Sequence, residues 1–176
     1  SRLVQHLLDD PTCDGGQWDM FANLVMKYGL VPQSVFQESY HSSNSGELNA
    51  ILKKKFRQYA HNLRNETSVE SLTDLKESYV QETYNLLCKF LGCPPTTFDW
   101  EYENKEYNLH RDLTPLQFYN DFVNFKVDDY ICLVNDPRQE HPYHKLYTVQ
   151  YLGNVVDGNK VKYLNLPIDR IKELSL

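Results

Sequence analysis

The stretch Asp14-Gly15-Gly16-Gln17-Trp18-Asp19-Met20, running on to Tyr28-Gly29 and to Glu38-Ser39-Tyr40, decides how the rest of the chain is read. Two adjacent glycines leave the backbone bare, so another chain can approach its N–H and C=O groups closely. A helix signal follows at once. Trp18, Phe21, Ala22, Leu24, Val25 and Tyr28 recur at helical spacing and predict one apolar face. Asp14 is expected as its cap and Gly29 as the residue just past its end, and Pro32 blocks continuation. The glycines thus sit at the mouth of a buried helix, a suitable place for a rigid binding edge.

Before this stretch, Leu3, Val4, Leu7 and Leu8 predict a short helical face broken by Asp9-Asp10-Pro11. After it, residues 31–40 read as extended loop and Ser42-Ser43-Asn44-Ser45-Gly46 as a linker. Asn44 followed by Glu47 resembles a capping box. Leu48, Ile51, Leu52, Phe56, Tyr59, Ala60 and Leu63 hold one helical stripe. Val69, Leu72, Leu75, Tyr79, Thr83, Leu86, Leu87 and Phe90 hold another, ended by Gly92 and Pro94-Pro95. Two amphipathic helices joined across the polar residues 62–68 predict an antiparallel helical hairpin.

The period then changes. Phe98-Asp99-Trp100-Glu101-Tyr102 alternates apolar and charged, as a half-buried strand does. Thr114-Pro115-Leu116-Gln117 combines an N-cap, a proline at the first helical position and a glutamine at the third, and Leu116, Tyr119, Phe122 and Val123 continue that helix. Residues 130–134 predict a short buried strand and 146–152 another. Asp157-Gly158 signals a turn, with Val161, Tyr163 and Leu166 as strand beyond it. A further helix signal covers 168–174. Helices come first and strands later, so the fold class is α+β.

The chain has 176 residues, 41% of them hydrophobic, and a net charge of −6. That charge argues against a global nucleic-acid surface. No apolar run approaches the roughly 20 residues of a membrane helix, so no membrane partner is expected. Cys13, Cys88, Cys93 and Cys132 are irregularly spaced, and the pair at 88 and 93 lacks redox or zinc spacing; structural thiols are expected. His141 and His144 stand three apart across Pro142, which keeps them off one helix face, so a solvated loop is favoured over a metal site or base. Lys53-Lys54-Lys55 and Arg57 form the one basic cluster, whose ordinary reading is a solvated helix face. By residue type alone, Gly15 and Gly16 read as a turn before a helix.

The opening stretch resembles the cysteine aminopeptidases of the bleomycin hydrolase (aminopeptidase C) type, within the papain superfamily. Further runs carry the resemblance in order: Arg2-Leu3-Val4-Gln5, Cys93-Pro94-Pro95 with Phe98 and Trp100-Glu101-Tyr102, and Thr114-Pro115-Leu116-Gln117-Phe118-Tyr119. Later come Ile131-Cys132-Leu133-Val134-Asn135-Asp136-Pro137-Arg138, Lys145-Leu146-Tyr147-Thr148-Val149 and Pro167-Ile168-Asp169. Residues 42 to about 87 carry little of it.

The resemblance implies a partial papain-like fold with an inserted helical hairpin and a small, mostly antiparallel sheet. Residues 1–41 would belong to the helical half, with the Gly-Gly cleft edge. Residues 42–95 would form the hairpin, and 96–176 the sheet half. Asp14, Gly15, Gly16 and Gln17 would bind peptide substrates through the backbone, with Trp18 as core. The family's cysteine, histidine and asparagine contexts do not occur between Ser1 and Leu176, so no catalytic residue is assigned and a central segment, inactive alone, is expected. Cys13 is read as structural. Apolar surface at Trp18 and 130–134 is expected to stay partly exposed. The resemblance further implies a cytosolic location, a homohexamer assembled through helical projections, and no metal or other cofactor. It also offers a weak nucleic-acid role for Lys53, Lys54, Lys55 and Arg57. The reading from another class is a non-catalytic assembly module, including one that binds nucleic acid.

Overall fold

Helix α1 (Trp18–Tyr28) forms where the apolar spacing predicts it. The computed structural model describes residues 5, 9, 10, 12 and 15–175, so the expected helical face at Leu3, Val4, Leu7 and Leu8, Cys13 and the expected cap Asp14 lie outside the described residues. The N-cap position of α1 is taken by Gln17, whose side chain makes no capping bond. Asp19 in the first turn and Lys27 in the last suit the helix dipole. The apolar face is split. Ala22 and Val25 are buried together with Asn23, whereas Phe21, Leu24 and Tyr28 are 46%, 42% and 57% exposed, because α1 is covered from the Ala22–Val25 side only.

The chain folds as two compact units. One comprises Gln33–Pro95 with the described residues before Gly15; the other joins Gly15–Pro32 to Thr96–Leu176. In the first unit the stretch expected as a linker contains a one-turn helix, α2 (Tyr40–Ser43), whose N-cap Ser39 accepts from the Ser42 N–H at 3.2 Å. Helix α3 (Gly46–Asn65) starts after Ser45, not Asn44, and no side-chain capping box forms there. Helix α4 (Val69–Leu91) is capped by Ser68. Lys55 pairs with Glu82, Tyr59 stacks on Tyr79 at 4.1 Å, and Asn62 donates to the Tyr79 hydroxyl at 2.9 Å. One number rises as the other falls, so α3 and α4 run antiparallel. Burial, with Glu82 alongside, pushes the Tyr59 hydroxyl up to about 12. Leu48, Leu52 and Tyr59 are buried. Val69, expected in the α4 stripe, is 79% exposed, because it opens the first turn.

The second unit contains two sheets. Strands β1 (Phe98–Asn104) and β2 (Glu106–Leu113) form an antiparallel hairpin. Phe98 is buried and Trp100 and Tyr102 half-buried, matching the alternation. The Trp100 ring lies 4.5 Å from Tyr102 and 4.9 Å from Phe118, and the His110 ring lies 4.5 Å from Phe122. Helix α5 (Pro115–Phe122) carries the expected capping box: the Gln117 N–H donates to Thr114 Oγ1 at 3.2 Å, and the Thr114 N–H donates to Gln117 Oε1 at 2.9 Å. Val123 is its cap rather than a helical residue. A 3-10 turn (Val127–Asp129) follows.

The second sheet is ordered β3-β5-β4, with β3 (Cys132–Val134) parallel and β4 (Lys145–Tyr147) antiparallel to the central β5 (Tyr163–Asn165). Two expectations are corrected. Tyr130 and Ile131 precede β3 and are 54% and 44% exposed, so 130–134 is not a buried strand. β4 ends at Tyr147, and Tyr151 takes φ 63° in a turn, so no strand spans 146–152. Helix α6 (Ile168–Leu174) closes the described chain.

The core of this unit is Ala22, Val25, Tyr119 and Val127, with Trp18, Met26, Leu30 and Val123 against it. Gly29 lets α1 and α5 meet. Its φ is 76°, its N–H donates to the Val25 carbonyl at 2.8 Å, and a Cβ there would stand 2.1 Å from the Pro115 carbonyl carbon. Leu30 N–H then donates to that same Pro115 carbonyl at 3.1 Å. Gly29→Ala is therefore expected to cost at least about 2–3 kcal/mol, combining positive-φ strain with overpacking. Gly46→Ala, at the start of α3 with open space around it, is expected to change stability by less than about 1 kcal/mol. Chemical denaturation of the two variants checks the contrast.

Candidate functional site

Gly15, Gly16 and Gln17 form an exposed backbone ridge leading into α1. The Gln17 carbonyl accepts from the Met20 N–H at 3.0 Å and the Phe21 N–H at 3.3 Å, so the ridge continues directly from the first helical turn. Among the described residues, nothing inside the fold demands a glycine at position 16. Positive φ is found at Gly29 and Gly92 instead, and a Cβ on Gly16 would meet only Met20 Sδ, at 4.0 Å. What the missing side chain leaves clear is the outside of the ridge, where an extended peptide can approach its N–H and C=O groups.

One face of α1 carries a polar stripe that the sequence reading does not include. Asp19, Asn23 and Lys27 are spaced four apart. Asp19 Oδ2 accepts from the Lys162 N–H at 2.6 Å. Asn23 donates from Nδ2 to the Asn159 carbonyl at 2.7 Å and accepts at Oδ1 from the Asn159 N–H at 2.8 Å. Lys27 Nζ donates to the Val156 carbonyl at 2.8 Å. Trp18 Nε1 adds a bond to the Val127 carbonyl at 3.2 Å. The segment 156–162, where Asp157-Gly158 indeed turns, is thus hydrogen-bonded along the helix rather than paired as a hairpin. A cavity of about 260 Å³ opens beside this stripe between Asn23, Val127, Tyr130 and Lys162; Gly15, Gly16 and Gln17 do not line it.

His141 sits in a loop, as expected, but is not simply solvated. Its Nδ1 lies 2.5 Å from Asp136 Oδ2, and Arg138 grips the same carboxylate through Nε at 2.8 Å and Nη2 at 2.5 Å. Asn165, fully buried, accepts from the Asp136 N–H at 2.8 Å and donates to the carbonyls of Asp136 and His141 at 2.9 and 2.8 Å. His144 is exposed and turns the backbone at φ 62°. Among the described residues no three His, Cys, Asp or Glu side chains come together as metal ligands.

Cys88, Cys93 and Cys132 are free thiols. Hydrogen bonding of the protonated Cys93 thiol to the neighbouring Cys88 sulfur pushes Cys93 up, opposite to what a thiolate nucleophile needs. In the basic run, Lys53 pairs with Asp10 at 2.9 Å and Lys55 with Glu82, while Lys54 and Arg57 are exposed. The pairing weakens the local positive field. No described helix is long and apolar enough to cross a membrane.

Comparison with known proteins places this geometry in a family context. The model of the Peptidase C1-like family matches residues 1–176. Bleomycin hydrolase of Gallus gallus is 46% identical over 99% of this chain and 40% of its own length. Aminopeptidase C of Streptococcus thermophilus is 46% identical over 100% of this chain and 41% of its own. The crystal structure of PepW from Lactobacillus rhamnosis HN001 superposes with a TM-score of 0.91 at 46% identity, covering 99% of this chain and 40% of that one. The chain therefore spans about 40% of the length of the curated relatives it matches.

The Asp136 carboxyl is held well below the usual carboxylate range, first by Arg138 and then by His141. A group with a depressed folded pKa stabilises the fold above its unfolded pKa, and that contribution is lost as pH falls toward the folded value. Asp136→Asn is therefore expected to lower Tm by its full margin above about pH 5, with the margin beginning to shrink near about pH 4 and closing only as pH falls on toward the folded value. Thermal unfolding followed across pH checks this; a margin independent of pH contradicts it.

Proposed function

The chain belongs to the Peptidase C1-like family, and on that premise we propose that it is a segment of a cysteine aminopeptidase. The parent enzyme would hydrolyse peptide bonds, and bleomycin-like amide bonds, from a free N-terminus. This segment would supply one wall of the cleft and surfaces for assembly. The names carried by its relatives, bleomycin hydrolase and aminopeptidase C, support that substrate class. The observation that carries the reading is Gly16, a glycine without positive φ or inward crowding, on an exposed ridge.

The chemistry asks for a thiolate that attacks the substrate carbonyl and an imidazole that protonates the departing amine. Water then releases the acyl group from sulfur. Among the described residues no imidazole is hydrogen-bonded to the free thiols Cys88, Cys93 and Cys132, and the Cys93 thiol is pushed up, so none of the three is assigned the first role. The nucleophile and base are therefore assigned to sequence outside these 176 residues, and this segment alone is expected to be inactive. Phe21, Leu24, Tyr130 and Ile131 leave apolar surface exposed in the second unit, which suits packing against the remainder of the same polypeptide. Val69, Val80 and Tyr84 are exposed on α4 and suit contacts between copies; the homohexamer and the cytosolic location proposed for the parent enzyme rest on the family resemblance alone. The basic run carries no second reading, since Lys53 and Lys55 are already paired.

Gly16→Leu in the full-length enzyme is expected to raise KM at least about tenfold or abolish turnover of aminoacyl-coumarin amides, with folding intact by circular dichroism. The wild-type activity should disappear on thiol alkylation. Unchanged kinetics in the variant, against an alkylator-sensitive wild type, would reject Gly16 as cleft wall.

A further inference from the structure

We infer that Asp19, seconded by Asn23, is a positioning residue for the substrate edge. The inference rests on the reading of Gly15 and Gly16 as cleft wall. Those glycines and Gln17 are exposed, and no described side chain crowds Gly16, so the ridge has little packing of its own. Its position is inherited from the first turn of α1, through the Gln17 carbonyl and the N–H groups of Met20 and Phe21.

That turn is held to the rest of the unit by two side chains. Trp18 reaches the Val127 carbonyl at 3.2 Å, and Asp19 takes the Lys162 N–H at 2.6 Å. The Asp19 bond is the shorter, and a charged acceptor makes it the stronger. It joins α1 to the residue next to β5, the central strand of the three-stranded sheet. Asp19 therefore ties the ridge, three residues away, to the start of a strand that is paired on both sides. One turn further on, Asn23 is only 3% exposed and repeats the attachment with two bonds to Asn159. Its amide supplies one donor and one acceptor to one residue's backbone, as a neighbouring strand does. The two attachments together oppose both translation of α1 along the segment 156–162 and rotation about its own axis. A backbone edge binds an extended peptide only if its N–H and C=O groups stay in register with those of the peptide, so a displaced edge loses hydrogen bonds to the bound substrate.

The test uses the full-length enzyme with aminoacyl-coumarin amides and three variants. Asp19→Ala and Asn23→Ala are expected to raise KM about tenfold with kcat within about twofold, because a displaced edge loses binding that ground state and transition state share. Asp19→Asn keeps an oxygen acceptor for the Lys162 N–H and is expected to restore KM to within about threefold of wild type. Amide hydrogen exchange supplies a readout independent of activity. The Lys162 N–H should exchange faster in Asp19→Ala and stay protected in Asp19→Asn. Lowered Tm with KM unchanged in both alanine variants would make these side chains merely structural and overturn the inference, leaving the cleft assignment standing. A wild type without alkylator-sensitive hydrolysis would overturn the assignment as well. If Asp19→Ala fails to fold, the comparison of Asn23→Ala with wild type carries the same two outcomes.

Discussion

Asn23 gives both halves of its amide to the backbone of Asn159, and the second unit depends on that exchange. A buried amide is unfavourable unless its donor and acceptor are both met, since each unmet group carries a desolvation cost of about 1–3 kcal/mol. Here both are met by one residue 136 positions away, so the pairing specifies a register that apolar packing alone leaves loose. Around it, Ala22, Val25, Tyr119 and Val127 supply the non-directional burial, and Gly29 supplies the close approach of α1 to α5. Burial draws the elements together; the polar stripe of α1 determines how they are set.

Asn165 does the same work elsewhere in the unit. It sits on the central strand with no exposed surface and ties down the loop carrying Asp136 and His141. The Asp–His contact has the orientation of a catalytic dyad, with Nδ1 toward the carboxylate. No described nucleophile meets the ring, and Arg138 grips the carboxylate, so the cluster reads as a latch on a loop.

Local rules made some elements legible. The cap, proline and glutamine from Thr114 to Gln117 form the bonds that their spacing predicts, because a capping box is decided within four residues. The antiparallel helical hairpin follows from two apolar stripes. Features decided at long range were not legible. Strand β2 is not legible because its turn uses Lys105 at φ 63° in place of a glycine or Asn-Gly signal, and its pattern is inverted: Asn108 and His110 are half-buried while Tyr107 and Leu109 are exposed. The residue types over-extend β4, because Val149 and Tyr151 favour strand whereas the backbone turns at Tyr151. The stripe Asp19, Asn23 and Lys27 has no signature in the sequence, since nothing local reveals that the segment 156–162 will lie along it. The glycine ridge was legible as a motif, but only the geometry separates Gly16, which the fold does not require, from Gly29, which it does.

The central claim is that the bare backbone at Gly16 faces substrate. The most direct measurement is residue-resolved amide hydrogen exchange in the full-length enzyme, with and without a reversible peptidyl aldehyde bound at the active-site thiol. Selective protection at Gly16 is expected in the complex, because the ligand backbone would cover this ridge. Saturating inhibition with exchange at Gly16 and Gln17 unchanged would contradict it, and would leave the glycines as a plain entry to the helix.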